Sequence, residues 1–204
     1  MDAIFNRRSI RKFTDEPLTD AQIERLLRAG MAAACAKNSQ NRLFFVSKGQ
    51  GSLPTLIQVH PNAFALKTAA VAITVCADLR QAAQVDPLNP WWVQDCAAAM
   101  ENILVEAADM GLGGLWIGVH PDPKRIVAVQ TDLAAPSHIV PLGVAALGHP
   151  DKVKEPTERF ESDKVLRETY LVDAKCGFYI FFSFQTARQR FLPVRLIFYQ
   201  NRSK

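Results

Sequence analysis

The sequence predicts an α+β protein or a three-layer α/β arrangement built around one core. Segments whose apolar residues repeat at the helical period alternate loosely with short apolar segments that favour strands. Regular β-α-β repeats are too few for a barrel. The chain has 204 residues, of which 49% are hydrophobic and 22% charged, as in an ordinary globular protein. A domain of this size buries roughly 70% of the surface that its unfolded chain exposes, so folding needs neither disulfides nor a metal.

The first half of the chain predicts one helix and two strands. Thr19 followed by Gln22 has the form of a capping box, and the apolar stripe after it predicts a helix over about 19–33. Residues 43–47 predict a short buried strand. A proline-punctuated region that is irregular or briefly helical follows, and residues 70–77, rich in Val, Ile and Thr, predict the second strand.

The second half predicts two helices and two strands. Apolar residues at the helical period predict the longest helix over about 92–110, and Gly111 supplies its C-terminal stop. A strand at about 113–119 follows. Asp122 then caps a helix whose first position is a proline. Residues 139–147 predict the last strand of the body.

Charged and aromatic residues are unevenly distributed along the chain. Of the 24 Lys+Arg and 20 Asp+Glu, residues 171–204 hold six basic residues and one acidic residue, and they hold eight of the eighteen aromatic residues. The remaining residues carry a net charge of −1, which argues against nucleic-acid binding by the body. We therefore predict a body over 1–170 and an atypical aromatic and basic extension over 171–204.

Cysteine spacing and hydropathy indicate the compartment. The four cysteines are widely spaced, with no C-x-x-C pair and no histidine at metal-ligand spacing, which argues against a zinc site and against a secreted disulfide framework. The N-terminus carries charge where a signal peptide needs an apolar stretch. The longest strongly apolar patch, 177–184, is far shorter than the ~20 residues of a membrane-spanning helix. These features predict a cytoplasmic protein with reduced thiols, no metal and no membrane partner.

Three segments carry side chains suited to a ligand. Residues 7–13 place four cations and a hydroxyl close together, which can serve a phosphate or an anionic ring. Residues 33–41 combine small side chains with amides, which suits a planar heterocycle. Arg159 is a further isolated cation. Each also has a plain structural interpretation: a solvated basic turn, a helix-to-strand loop and a surface charge.

The glycine-rich segment 111–118 is not a dinucleotide-binding fingerprint. It follows a helix instead of a strand, and Trp116 stands where the final glycine would be. It predicts a helix stop and a strand whose backbone can be approached closely. Covalent catalysis is disfavoured too, because Ser9 lacks a G-x-S-x-G context and Cys35 has no neighbouring histidine.

Taken in order, these motifs resemble those of the FMN-dependent nitroreductase family. They are R-R-S-x-R near the N-terminus, a small-residue segment carrying N-x-Q, Asp95 and Glu101-Asn102 in an alanine-rich helix, G-L-G-G-x-W-I-G, and G-H-P followed by E-P-x-x-R-F. The resemblance covers about residues 1–170. It implies a nitroreductase-like three-layer α/β/α sandwich that forms an intertwined homodimer, with one FMN in each of two interface sites.

The resemblance also implies a role for each matching residue. Arg7 would bind the FMN phosphate, and Arg159 would supply a second phosphate contact. Arg8 and Ser9 would line the ribityl chain and the isoalloxazine, and Arg11 would face the N1/O2 side of the ring.

Two further segments would reach the ring, with the Ile117 amide near N5. From the second subunit these contacts would be Ala34, Cys35, Ala36 and Asn38, and along the strand they would be Leu115, Trp116, Ile117 and Gly118.

The implied activity is hydride uptake from NADH or NADPH, followed by reduction of a small electron acceptor such as a nitroaromatic, quinone or enone, in a ping-pong mechanism. The chemistry would belong to the flavin, with no separate catalytic side chain. Two alternatives stay open. One is a redox-silent flavin-binding dimer with a sensing or storage role, because Ala34-Cys35 and Asn41-Arg42 stand where the family usually has Pro-Ser and Pro-Trp. The other is a nucleic-acid binder acting through the basic tail.

The tail itself has two interpretations. Family members that resemble this chain often end near the position of Tyr170. Residues 171–204 are either an arm that wraps a partner subunit or a non-native extension, for example from a shifted reading frame. Their composition, so unlike that of the body, favours the second interpretation.

Overall fold

A computed structural model describes residues 3–85 and 90–166. The chain divides into two compact units, one ending at Thr157 and one beginning at Glu158. In the second unit the described residues include a 3-10 turn, Ser162–Lys164. The predicted boundary after residue 170, the tail and Cys176 lie outside the described residues.

The described part of the first unit contains six helices and four strands. The helices are α1 Ala3–Asn6, α2 Asp20–Met31, α3 Pro54–Val59, α4 Leu79–Val85, α5 Trp91–Asp109 and α6 Pro123–Leu133. The strands are β1 Arg42–Lys48, β2 Val71–Asp78, β3 Gly113–Gly118 and β4 Ile139–Gly148.

The four strands form one antiparallel sheet in the order β1-β2-β4-β3. Every residue of β2 and β4 is buried, which explains why both strands are mostly apolar and show no polar alternation, with Thr74 and Asp78 as the buried polar residues of β2. The register between them shifts after Val75 pairs with Gly143, because Cys76 then pairs with Pro141. Strands β1 and β3 form the two edges within this sheet.

Helices cover both faces of the sheet, so the predicted three-layer arrangement is confirmed. Successive residues of β2 point to opposite faces: Ile73 packs into one core with Met100 and Ile103 of α5, whereas Ala72 packs into the other with Val129 of α6. Helix α2 packs with α5 on the first face, and α3 packs with α6 on the second.

The predicted caps and stops at the helix ends are confirmed. The Thr19 hydroxyl accepts the Gln22 amide at 3.2 Å, and the Gln22 side chain accepts the Thr19 amide at 2.8 Å, which completes the capping box. Gly111 adopts φ +70° directly after α5. The Asp122 carboxylate accepts the Lys124 amide at 2.9 Å at the start of α6. Each main predicted element is therefore present, with ends that differ by one or two residues from the predicted ones.

Three short elements were not predicted: α1, α4 and a 3-10 turn over Ala36–Asn38. Helix α1 has four residues and buries none of them, so it has no apolar periodicity to detect.

The described cysteines are unpaired thiols. Burial raises the pKa of Cys76 and of Cys96, which keeps both groups protonated and unreactive. Within residues 3–85 and 90–166, no cluster of three or more His, Cys, Asp or Glu side chains could hold a metal ion. None of the helices in this part of the chain is long and apolar enough to cross a membrane.

Candidate functional site

The basic segment of residues 7–11 lies along the outer edge of strand β3. Ser9 forms a parallel bridge with Gly114, and the Ile10 amide donates to the Gly114 carbonyl at 3.0 Å. Two of the predicted ligand-binding segments, more than 100 residues apart in sequence, therefore lie side by side.

Glycines make this close approach possible. A Cβ built on Gly113 would lie 2.9 Å from the Ile10 side chain, and one on Gly114 would lie 2.7 Å from Cδ2 of Leu104 on α5. The prediction of a strand whose backbone can be approached closely is confirmed.

Arg8 has a buried nitrogen without a hydrogen-bond partner. Its Nε donates to the Glu155 carbonyl at 3.0 Å, and its Nη1 donates to the carbonyls of Phe5 at 2.8 Å and Arg7 at 2.6 Å. The Nη2 is buried and makes no hydrogen bond with any residue that the structure describes. Leaving a buried donor unpaired costs about 1–3 kcal/mol, so this nitrogen is a donor available to an anionic ligand.

Arg7 is tied to helix α5. Its Nε lies 3.0 Å from Oε1 of Glu101, and the two side chains are 27% and 50% exposed. A guanidinium has five N–H donors, and this ion pair uses the one on Nε. Arg7 can therefore contact an anion while it remains paired.

Lys154 is a candidate site residue that the sequence motifs did not single out. Its ammonium group donates to the Ser9 carbonyl at 3.1 Å, and Arg11, which is exposed, has Nη1 3.5 Å from the same oxygen. Lys154 lies within the G-H-P to E-P segment, but that motif singled out only its flanking residues. The Ser9 carbonyl is therefore close to two cations, one near it in sequence and one near the end of the first unit.

A cleft of about 220 Å³ opens between the basic segment and β3. Its lining includes Arg7, Arg8, Ile10, Gly114 and Lys154. Pockets that enclose a drug-sized ligand usually measure about 300–1,000 Å³. The cleft is smaller than such pockets.

The register of β3 determines which backbone groups face this edge. Because the Gly114 carbonyl bonds to Ile10, the backbone groups of Trp116 and Gly118 also point away from β4, in step with the strand's period of two. The Ile117 amide points towards β4 instead. The predicted contact of the Ile117 amide with the flavin stays a prediction, and the outward amides at this edge are those of Trp116 and Gly118.

The side chains of β3 alternate accordingly. Leu115 and Ile117 are 6% and 1% exposed and belong to the core, whereas Trp116 is 37% exposed. The indole of Trp116 lies over Gly143, where a Cβ would come within 2.8 Å of its Nε1. A Cβ on Gly118 would meet no atom within 4 Å, so the end of the strand has open space beside it.

Two side chains hold the Gly118 carbonyl. His60 Nε2 lies 3.0 Å from this oxygen, and Arg125 Nη1 donates to it at 3.4 Å. The Asn62 amide donates to His60 Nδ1 at 3.0 Å, so Nε2 carries the proton of the neutral ring. Burial, followed by the charge of Arg125, lowers the pKa of His60.

The predicted ligand-binding segment of residues 33–41 forms a loop that lies against the start of α5. The Ala36 amide donates to Oδ1 of Asp95 at 2.8 Å, and the Ser39 hydroxyl lies 3.4 Å from Oδ2. Ala34 and Asn38 are exposed, and Cys35 and Ala36 are half-buried.

This loop is strained. Lys37, Asn38 and Gln40 have φ values of 50°, 53° and 47°. Each left-handed conformation costs an L-residue other than glycine about 1–2 kcal/mol. Such strain persists only where the surrounding structure imposes it.

Arg42, on the first residue of β1, lies under the loop and is 7% exposed. Its Nη2 donates to the Ala33 carbonyl at 2.9 Å and to Gln40 Oε1 at 3.3 Å. Its Nη1 donates to the carbonyls of Ala34 at 3.3 Å and Asp95 at 3.4 Å. No sequence pattern predicted this burial, since arginine is usually exposed.

The loop and the basic segment contact different parts of α5. The loop meets Asp95 and the basic segment meets Glu101, positions about 9 Å apart along a helix axis and on different sides of it. Arg159 lies in the second unit, where it is exposed and its amide donates to Glu158 Oε1 at 2.8 Å. The predicted cofactor contacts of Arg159 and of the loop remain predictions.

Comparisons with known proteins identify the relatives of this chain. Residues 4–53 and 52–149 match the model of the nitroreductase family. A protein of Archaeoglobus fulgidus, provisionally named an NADH dehydrogenase/NAD(P)H nitroreductase, is 37% identical over 170 residues, which cover 82% of this chain and 96% of that protein.

Solved structures agree with this similarity. An FMN-dependent nitroreductase from Clostridium difficile is 25% identical with a TM-score of 0.74, and the match covers 83% of this chain and all of that one, 100%. A structure from Desulfovibrio desulfuricans, provisionally named a nitroreductase and solved in complex with FMN, is 27% identical with a TM-score of 0.68. That match covers 83% of this chain and 96% of the other.

Proposed function

The chain belongs to the nitroreductase family, and on that premise we propose that it reduces a small electrophile, such as a nitroaromatic, a quinone or an enone, by a ping-pong mechanism. It is an FMN-dependent oxidoreductase that takes its electrons from NADH or NADPH.

The observation that carries the proposal is the buried, unpaired Nη2 of Arg8 beside strand β3. Arg7 and Lys154 line the same cleft. A phosphate or a ring carbonyl oxygen would satisfy the free donor, and three cations would balance a phosphate's charge. The residues present therefore fit FMN.

The proposed roles follow from this placement. Arg7 would hold the phosphate, and Arg8 and Ser9 would orient the ribityl chain and the ring. Arg11 and Lys154 would place positive charge where negative charge develops during reduction. The amides of Trp116 and Gly118 would donate hydrogen bonds to the ring's edge. When bound, FMN would supply the hydride chemistry.

A second copy of the chain would complete the site. The cleft of one chain is smaller than an ordinary cofactor pocket, and the 34–38 segment contacts α5 away from it. Exposed apolar side chains on the first unit provide surface that association could bury, among them Phe5 at 73% and Met31 at 55% exposed. We therefore propose an FMN-binding homodimer.

Titration of FMN-free protein with FMN, followed by flavin fluorescence, tests the role of Arg8. Arg8→Lys keeps the charge but loses the planar set of donors, so we expect FMN binding to weaken about tenfold. Arg28→Lys is the matched control, because Arg28 is 77% exposed and paired with Glu24. Equal affinity of Arg8→Lys and wild type would contradict the assignment.

Steady-state kinetics test the mechanism. With NADH or NADPH varied against a nitroaromatic, quinone or enone, a ping-pong mechanism gives parallel double-reciprocal lines. Intersecting lines would exclude it.

A further inference from the structure

The buried guanidinium of Arg42 forms no ion pair with a carboxylate in the part of the chain that the structure describes, so another role must account for its burial. Its two terminal nitrogens donate to three backbone carbonyls and one side-chain amide oxygen. The carbonyls of Ala33 and Ala34 lie before the strained turn, and Gln40 lies at its end. The fourth acceptor, the Asp95 carbonyl, belongs to α5. One side chain thus joins both ends of the 33–40 loop to the helix.

Asp95 secures the middle of the same loop. Asp95 is 5% exposed. Its carboxylate accepts the Ala36 amide at 2.8 Å, and the Ser39 hydroxyl lies 3.4 Å from the same carboxylate. Arg42 and Asp95 therefore act on the loop from β1 and from α5. Of the three left-handed residues, Lys37 and Asn38 lie between the two residues that Asp95 contacts, and Gln40 is itself bonded to Arg42.

We propose that Arg42 and Asp95 are positioning residues that hold the 33–40 loop in the conformation in which it contacts the flavin bound by the partner subunit. This inference rests on the proposed function, because it takes the loop to be the partner's contribution to the site. Arg42 itself touches neither cofactor nor substrate in this account.

The chemistry of arginine explains why this residue suits the task. A planar guanidinium presents donors in fixed directions, so one side chain can bond to carbonyls on the loop and on the helix at once. Lysine offers three donors from a single point, and an uncharged apolar side chain offers none. Left-handed conformations at Lys37, Asn38 and Gln40 would relax if these bonds were lost.

Arg42→Lys, Arg42→Gln and Asp95→Asn test the inference on the full-length protein. Arg80→Ala is the control, because Arg80 is a 66%-exposed side chain that pairs with Asp78 at the end of the neighbouring strand. The first readout is amide hydrogen exchange of FMN-free protein. The second is the FMN dissociation constant, and the third is the visible circular dichroism of bound FMN.

We expect Arg42→Gln to accelerate exchange within residues 33–40 about tenfold, with the amides of β2 and β4 unchanged. FMN binding should weaken by a similar factor, and the dichroism of the bound flavin should change. Arg42→Lys should give an intermediate result, Asp95→Asn should open the loop around Ala36, and Arg80→Ala should match wild type.

The outcomes separate this inference from the proposed function. Unchanged loop exchange and unchanged FMN affinity in Arg42→Gln and Asp95→Asn would overturn it. If Arg42→Gln does not fold, Arg42→Lys and Asp95→Asn decide the question by the same criteria. A wild-type protein that binds no FMN overturns the proposed function, whereas faster loop exchange in the variants would still support the locking of the loop.

Discussion

The Nε of Arg7 lies 3.0 Å from Oε1 of Glu101 on helix α5. The residue that we propose to bind the phosphate is therefore already paired with a carboxylate. Both side chains are partly exposed, and such pairs contribute about 0–1 kcal/mol to stability. The ion pair therefore influences binding more than folding.

Removing this acidic partner should strengthen FMN binding. Glu101→Gln removes the negative charge that partly offsets the charge of Arg7. We expect a roughly two- to fivefold lower FMN dissociation constant at low salt, and the gain in affinity should shrink as salt is added. Arg7→Ala should weaken binding. Glu24→Gln, which affects only the exposed pair with Arg28, is the control. Weaker binding by Glu101→Gln would contradict the assigned role of Arg7.

The buried His60 should make stability depend on pH. Burial lowers its pKa in the folded state, while the unfolded chain has a pKa of about 6.5, so the unfolded state binds more protons below that value. The contribution of neutral His60 to the free energy of unfolding is therefore complete above a pH of about 6.5 and is lost as the pH falls below that value. Urea unfolding from pH 8 to pH 5 measures this, with His60→Gln as the comparison. We expect a smaller pH dependence in the variant, with His120, whose pKa burial also lowers, contributing to what remains. An identical pH dependence would argue against a neutral His60.

Substitutions at two glycines of β3 should have different effects on stability and on FMN binding. Gly114→Ala places a Cβ 2.7 Å from Leu104 Cδ2, and we expect a loss of about 1–3 kcal/mol in the free energy of unfolding. Gly118→Ala meets no atom within 4 Å and should leave stability nearly unchanged while it weakens FMN binding. Chemical denaturation and FMN titration of both variants measure these effects. Full FMN affinity in Gly118→Ala would place the flavin elsewhere.

Removal of residues 171–204 tests the two interpretations of the tail. If these residues are a non-native extension, the shortened protein keeps its oligomeric state and its FMN content, measured by light scattering and absorbance. Loss of either property would identify the tail as an arm that the assembly needs.

Local sequence signals predicted the secondary structure well. The capping box at Thr19, the glycine stop at Gly111 and the Asp122 cap are interactions between near neighbours, so their spacing is visible in the sequence. Helix α1 was not predicted because its four residues, none of them buried, have no apolar periodicity.

Features that depend on contacts distant in sequence were less accessible. Only the order of the motifs suggested that Ser9 and Gly114 serve one site, and the missed Lys154 joins it through a backbone carbonyl. The outward groups of β3 depend on its register, so the sequence alone did not show that the Ile117 amide faces β4. The burial of Arg42 depends on four acceptors that the fold alone brings together.

The most direct test of the central claim is an anaerobic absorbance titration of the purified protein with NADH and with NADPH. We expect flavin bands matching FMN that bleach on nucleotide addition and return when a quinone or nitroaromatic is added. Bound flavin that neither nucleotide bleaches would indicate the redox-silent alternative. A colourless protein that binds no added FMN would contradict the functional account and leave the fold unaffected.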